Sequence, residues 1–110
     1  MTRYMQIFGH LENSILMAQA NANKQQLASL LSPFFELNSN HHTHILRDVI
    51  INQKPDGIEW QISKLRVYEV GVNAVAYFTL TAKGQAARTI VDVWEPKQKN
   101  WQLCVRFEAH

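Results

Sequence analysis

The sequence predicts an α+β fold in which N-terminal helices pack on one face of a curved antiparallel sheet. Apolar residues recur at helical spacing in the first half of the chain, whereas apolar and polar residues alternate from Ile58 to His110. Helices that are segregated from an antiparallel sheet define the α+β class. The 110 residues are 46% hydrophobic and 18% charged, which is typical of one folded core. We therefore predict a single domain over residues 1–110.

Two helices are predicted before the first strand. Residues 3–20 carry an apolar stripe at helical spacing, which favours an amphipathic helix packed on the core, and Glu12 falls among the polar residues between the apolar positions. Asn23 stands three residues before Gln26, a spacing that resembles a capping box and predicts the start of a second helix. Pro33 is expected to end this helix, because proline cannot continue its hydrogen bonding.

A short strand, a third helix and a turn are predicted next. Residues 34–38 read as a strand with Phe35 and Leu37 on one face. Ser39-Asn40 is expected to cap a short helix whose apolar stripe lies within residues 45–50. Residues 54–57, Lys-Pro-Asp-Gly, predict a turn, because proline presets its first corner and glycine accepts a positive φ.

Four strands are predicted over the second half of the chain. The first changes its alternation phase between Ile62 and Leu65, so we predict a β-bulge at Ser63-Lys64 that bends the strand and curves the sheet. The second, residues 74–80, is apolar on both faces and is expected to be covered on both sides. In the last two strands, one face is predicted to carry Arg88, Ile90, Asp92 and Trp94 together with Gln102, Cys104, Arg106 and Glu108.

Composition excludes several classes of partner. The net charge is +2 and the basic residues are scattered, so we predict no nucleic-acid binding. No run of about 18 apolar residues is present, which argues against a membrane span. We also predict that the protein has no cofactor. Cys104 is the one cysteine, so no internal disulfide forms, and no secretory signal is visible. We therefore expect a cytoplasmic protein.

Three short motifs resemble those of the nuclear transport factor 2-like superfamily, and most closely its SnoaL-like and kinase-association-domain-like branch. Residues 71–77, Gly-Val-Asn-Ala-Val-Ala-Tyr, are similar to the family's G-x-[D/N]-x-A turn and strand. Val93-Trp94 followed by residues 99–103 resembles the hairpin V-W … G-x-W-x-[I/L], and residues 34–37 resemble the strand F-x-E-[I/L]. The resemblance implies a cone-shaped, cystatin-like roll that encloses a deep pocket, and a homodimer formed through the outer sheet face. By alternation, that outer face is expected to carry Val91, Val93, Leu103, Val105 and Phe107, and the alternative is that this apolar face packs against the helices instead.

The resemblance also implies where a ligand would bind. Two arginines of the calcium/calmodulin-dependent kinase association domain pocket correspond to Asp92 and Glu108 here, and this change of sign argues against an anionic ligand. The expected pocket contains six residues: Asp92, Arg106, Trp94, Tyr77, Glu108 and Glu36. Asp92 and Arg106 either form an ion pair across neighbouring strands or take part in chemistry, and the ion pair is favoured because buried charges need partners.

Three hypotheses of function follow. The favoured one is a non-catalytic domain that binds a small apolar molecule in a pocket inside the cone or serves as an accessory domain. The second is an isomerase or cyclase in which Asp92 acts as base and Tyr77 donates to an oxyanion, and the third is an oligomerisation module. His41, His42 and His44 are adjacent side chains that diverge, so an exposed segment is favoured over a metal site. Cys104 is expected to be an inert thiol.

Overall fold

The computed structural model describes residues 3–110. In chain order these residues form α1 (Arg3–Ala20), α2 (Lys24–Leu30), β1 (Leu31–Ser39), β2 (Ile45–Leu46), α3 (Arg47–Ile51), β3 (Gln61–Val70), β4 (Asn73–Thr81), β5 (Arg88–Lys97) and β6 (Asn100–Ala109).

The six strands form one sheet in the order β2-β1-β6-β5-β4-β3. Neighbouring strands are antiparallel except β1 and β6, which run parallel. The α1 helix lies across the concave face, where Gly9 faces the side chain of Leu65 in β3. The predicted α+β class, with helices on one face of a curved sheet, is confirmed. In the described residues, no helix has the length and apolar character needed to cross a membrane.

One stripe of α1 is buried against the sheet. Phe8, Glu12, Ile15 and Ala18 follow one another at intervals of three or four residues, so they share a helix face. The expectation that Glu12 belongs to the polar side of this helix is wrong, because its position in the 3.6-residue repeat places it between Phe8 and Ile15. The helix therefore carries one carboxyl group into the interior.

Aromatic residues fill the closed end of the cone. The ring of Phe8 lies 4.9 Å from that of Trp101 and 5.9 Å from that of Trp94, measured between centroids. Tyr4, one turn earlier in α1, packs on Phe8 at 5.7 Å and on Trp101 at 6.2 Å. The rings meet edge-to-face or tilted, the arrangement that the aromatic quadrupole favours.

Two bulges between antiparallel strands shape the sheet. The register of β3 against β4 shifts between Ser63 and Arg66, and Lys64 has a φ of 57°, so the predicted bulge is confirmed. A second shift was not expected: Val93 pairs with Val105 and Trp94 with Leu103, which leaves Cys104 as an extra residue. A one-residue insertion reverses the facing of the side chains beyond it. Leu103 therefore faces the concave side, and its expected place on the outer face is wrong.

Several element boundaries differ from those expected. The second helix ends at Leu30, and Pro33 lies within β1, whose first residue Leu31 already has extended backbone. The third helix begins at Arg47, since residues 45–46 pair with β1 instead. Ser39 does not cap this helix: its Oγ accepts hydrogen bonds from the backbone N–H groups of His41 and His42 in a local turn.

The two faces of β4 are unequally covered. Ala76 and Phe78 are buried on the concave face, but Tyr77 between them is 43% exposed. The expectation that both faces of this strand are covered is therefore wrong for the single chain. The helices cover only the concave face. Within residues 3–110, no helix or strand covers the outer face of the sheet.

Phe8 offers a test of where the core lies. Replacing Phe8, which is fully buried, with alanine should lower the free energy of unfolding by about 3–5 kcal/mol, because it removes a large apolar side chain and leaves a cavity. Phe34→Ala is the matched control: this ring is 90% exposed, and its loss should change stability by less than about 0.5 kcal/mol. Urea unfolding of both variants measures the difference, and equal losses would contradict the packing described above.

Candidate functional site

The concave face and the helices enclose a cavity of about 620 Å³. Its walls come from the C-terminal end of α1, residues 53–60 and the concave sides of β4 to β6. A second cavity of about 200 Å³ adjoins it on the side of β1 and shares Arg88 and Arg106 with it. The larger volume lies within the range of small-molecule sites, about 300–1,000 Å³.

A buried cluster of polar groups stands at the floor of the cavity. Arg106 of β6 donates from Nε to Oδ1 of Asp92 and from Nη2 to Oδ2, each at 2.8 Å. The same Nη2 donates to Oε1 of Glu12 at 3.3 Å, and the indole Nε1 of Trp94 donates to Oε2 of Glu12 at 2.9 Å. Asp92 and Arg106 are directly paired across β5 and β6, which sets their bidentate geometry.

Burial controls the protonation of this cluster. Burial raises the pKa of Glu12 well above its ordinary value, and the neighbouring carboxylate of Asp92 raises it further. Burial by itself would lower the pKa of Arg106, but the carboxylates of Asp92, Glu12 and Glu108 outweigh this effect and raise it. The cluster therefore places one guanidinium against two carboxyl groups, and burial favours the protonated form of Glu12.

A second ion pair lies beside the first. Arg88 of β5 donates from Nε to Oε1 of Glu108 in β6, and both side chains are largely buried. The guanidinium of Arg88 also stacks over Trp60 at 4.9 Å. The indole of Trp60 donates to Asp56 Oδ2 at 2.9 Å, and this hydrogen bond is the main reason that the pKa of Asp56 is lowered. These contacts fix residues 56–60 as one wall of the larger cavity.

Four of the six expected site residues come together on the concave face. Arg106 and Glu108 line cavities, whereas Asp92 and Trp94 are fully buried behind them. Asp92 and Trp94 act on the cavity through Arg106. Asp92 binds the guanidinium directly, and Trp94 binds Glu12, which in turn binds Arg106. The ion pair that sequence reasoning favoured for Asp92 and Arg106 is present.

The other two expected residues lie elsewhere. Tyr77 faces the outer side of the sheet, because its neighbours Ala76 and Phe78 occupy the concave side, so it does not form part of the cavity wall. Glu36 points away from the cavity that Phe35 and Leu37 line, and it pairs with His44 at 3.0 Å. The hydrogen bond with His44 lowers the pKa of Glu36.

Sequence reasoning missed Glu12 and Arg88. The position of Glu12 within the buried stripe of α1 was a signal, because it stands four residues after Phe8 and three before Ile15. The signal for Arg88 was its alternation with Ile90 and Asp92 along β5. In each case the pairing partner lies far away in the chain, so the sequence pattern does not reveal the bond.

Residues 40–44 form an exposed loop and not the start of a helix. In residues 3–110, no group of three or more His, Cys, Asp or Glu side chains is placed to hold a metal ion. The Cys104 thiol contacts the carbonyl oxygen of Val93 at 3.1 Å, and burial raises its pKa. A raised pKa favours the thiol over the nucleophilic thiolate.

Comparisons with solved structures establish the fold. An NTF2-like protein from Cytophaga hutchinsonii superposes with a TM-score of 0.83 at 15% identity, covering 99% of this chain and 98% of that one. A CaMKII hub from S. rosetta gives 0.77 at 13% identity, covering 94% and 93%. A cystatin-like fold protein from Burkholderia xenovorans gives 0.76 at 10% identity, covering 96% and 89%. No protein-family model and no curated protein matches the sequence.

These likenesses show that the chain has the nuclear transport factor 2-like, or cystatin-like, fold. The fold that the short motifs implied is thereby confirmed. At 10–15% identity, the likeness concerns the fold alone.

Glu12 makes stability depend on pH. A carboxyl group whose pKa is higher in the folded than in the unfolded chain binds more protons when folded, so stability falls as pH rises above about 4.3, its unfolded value, towards the folded value. Each pH unit of this range changes the free energy of unfolding by about 1.4 kcal/mol. Glu12→Gln cannot ionise, so we expect this decline to disappear between pH 5 and pH 8.

Urea unfolding at several pH values measures the effect. Glu69→Gln, which neutralises an exposed carboxyl of β3, serves as the control and should retain the decline of the original protein. If the free energy of unfolding changed with pH in the same way in the original protein and in Glu12→Gln across pH 5–8, Glu12 would ionise as an ordinary carboxyl does.

Proposed function

We propose that this chain binds a small, mainly apolar molecule in the cavity of the cone. The presentation of Arg106 at the floor of the 620 Å³ cavity carries this proposal. Asp92 and Glu12 hold the guanidinium from behind, so its orientation is set before any ligand arrives. Small-molecule sites typically combine an apolar wall with a few fixed polar groups, and Leu16, Leu27 and Leu80 supply part of such a wall here.

Binding is better supported than acid–base catalysis. Both oxygens of Asp92 accept hydrogen bonds from Arg106, so this carboxylate is poorly placed to take a proton from a substrate. The tyrosine assigned as its partner, Tyr77, lies on the opposite face of the sheet. Burial raises the pKa of Glu12, but the cavity that Glu12 lines is only about 10 Å³, too small for a substrate.

A substitution at the cavity mouth tests the proposal. A thermal-shift screen of small apolar molecules should yield a ligand, since saturation at about 100 times the dissociation constant adds about 2.7 kcal/mol of stability. Ala20, the exposed last residue of α1, lines the cavity, so Ala20→Trp should weaken binding of that ligand at least about tenfold by filling the entrance.

His10→Trp is the matched control, because it adds the same side chain to an exposed position of the same helix outside the cavity lining. It should bind the ligand as the original protein does. Equal affinity in all three proteins, or no ligand in the screen, would contradict a binding role for the cavity.

We propose, as a second function, self-association through the outer face of the sheet. Apolar side chains form two rows across the strands on this face. The first row contains Tyr68, Val75, Val93 and Val105, and the second contains Tyr77, Val91 and Phe107. Phe107 is 47% exposed, and the hub likeness reported above is consistent with an assembly role. A contiguous exposed apolar surface of this kind is typical of a contact between protein chains.

Tyr77→Glu tests the dimer. A charge within the apolar rows would be desolvated in the contact, so we expect a dimer to become a monomer at micromolar concentration, as measured by sedimentation velocity. Val72→Glu is the control, because Val72 is 75% exposed in the turn between β3 and β4 and should leave the dimer intact. A monomeric original protein would refute this second function without affecting the first.

A further inference from the structure

The guanidinium of Arg106 has one unused side. An arginine carries five N–H donors; Asp92 and Glu12 occupy those on Nε and Nη2. In residues 3–110, no group accepts a hydrogen bond from Nη1. This atom is also not among the fully enclosed unpaired atoms, which are Nε of Arg47 and Oε1 of Gln102. Nη1 is therefore neither paired nor fully enclosed, and Arg106 is one of the residues that line the cavity.

The charges around the inner cavity cancel. Arg106 is neutralised by Asp92, and Arg88 by Glu108, so two cations face two anions. Protonated Glu12 adds no charge, and an ionised Glu12 would make the interior negative. Under either protonation state of Glu12, these buried groups leave no positive charge over to neutralise an anionic ligand. The imidazole of His110 lies 3.4 Å from Oε1 of Glu108, but it is 43% exposed and lines the second cavity. Further out, Lys54, Asp56 and Glu59 are exposed to solvent and screened by it.

We propose that the ligand is an uncharged, largely apolar molecule with one hydrogen-bond acceptor, such as a ketone or amide oxygen, that accepts from Nη1 of Arg106. This inference rests on the proposed binding function and names its ligand class. A carbonyl oxygen satisfies the open donors without bringing a second charge into the interior. The apolar remainder of the molecule fills the space between Leu16, Leu27 and Leu80.

A carboxylate of the same shape is disfavoured. It would lose its hydration on entering the cavity, and the attraction of Arg106 would be offset by the repulsion of Asp92 on the far side of the same guanidinium. A pure hydrocarbon is also disfavoured, because it would cover Nη1 and leave its donors without water or partner. The site therefore disfavours both charged ligands and ligands that have no hydrogen-bond acceptor.

Four probes with one apolar body test the ligand class: 2-acetonaphthone, 2-naphthamide, 2-naphthoate and 2-ethylnaphthalene. Dissociation constants are measured by NMR titration at pH 7 on the full chain. We expect the ketone and the amide to bind at least about tenfold tighter than the carboxylate and the hydrocarbon, because a hydrogen bond to a charged donor supports about this ratio.

Removing a compensating carboxylate should reverse the preference. In the double variant Glu12→Gln/Asp92→Asn, Arg106 is left without either of its carboxyl partners, so the ratio of ketone to carboxylate affinity should shift at least about tenfold towards 2-naphthoate. Glu108→Gln leaves Arg88 uncompensated and should shift the ratio in the same direction, which keeps the test valid if the double variant does not fold. Glu69→Gln, with an exposed carboxyl in β3, should leave the ratio unchanged.

The outcomes separate the ligand class from the function. Tighter binding of 2-naphthoate to the original protein, or equal binding of the ketone and the hydrocarbon, would overturn the uncharged-acceptor class while the cavity remained a binding site. An unchanged ratio in both carboxylate variants would overturn the charge-balance argument. Failure of all four probes to bind would overturn both the ligand class and the proposed function.

Discussion

The buried ion pair between Asp92 and Arg106 is the interaction on which the rest of the structure depends. A guanidinium taken out of water without a partner costs several kcal/mol, so a carboxylate must stand opposite it. The register of β5 against β6 places Asp92 there. Arg106 also binds Glu12, which in turn accepts from Trp94, so the same cation ties α1 to the sheet. One charge thereby fixes the helix over the cavity that it helps to enclose.

The bulge at Cys104 makes this arrangement possible. Without the extra residue, Leu103 and Arg106 would face opposite sides of β6, because they are three residues apart. With it, Leu103 packs in the aromatic and aliphatic core while Arg106 reaches the cavity floor on the same face. The strand therefore contributes an apolar closed end and a polar open end to the cone. A regular strand could place either Leu103 or Arg106 on this face, but not both.

The two faces of the sheet serve different purposes. The concave face pairs each of its buried arginines with a carboxylate, which keeps the interior free of unbalanced charge. The outer face carries tyrosine, valine and phenylalanine side chains with no covering layer from the described residues. The functions proposed above assign ligand binding to the first face and contact with another chain to the second. The fold itself hosts many functions, so these side chains, not the fold, carry the functional argument.

The sequence by itself determined the helix of residues 3–20, the strand alternation and the bulge near Ser63, because each follows from the spacing of neighbouring residues. It also placed Asp92 and Arg106 on adjacent strands. Only the tertiary structure decided that Glu12 joins them, that Cys104 bulges so that Leu103 turns inward, and that Tyr77 lies outside. The physical reason is that a hydrogen bond between residues 94 positions apart and a register shift between strands depend on how distant segments pack.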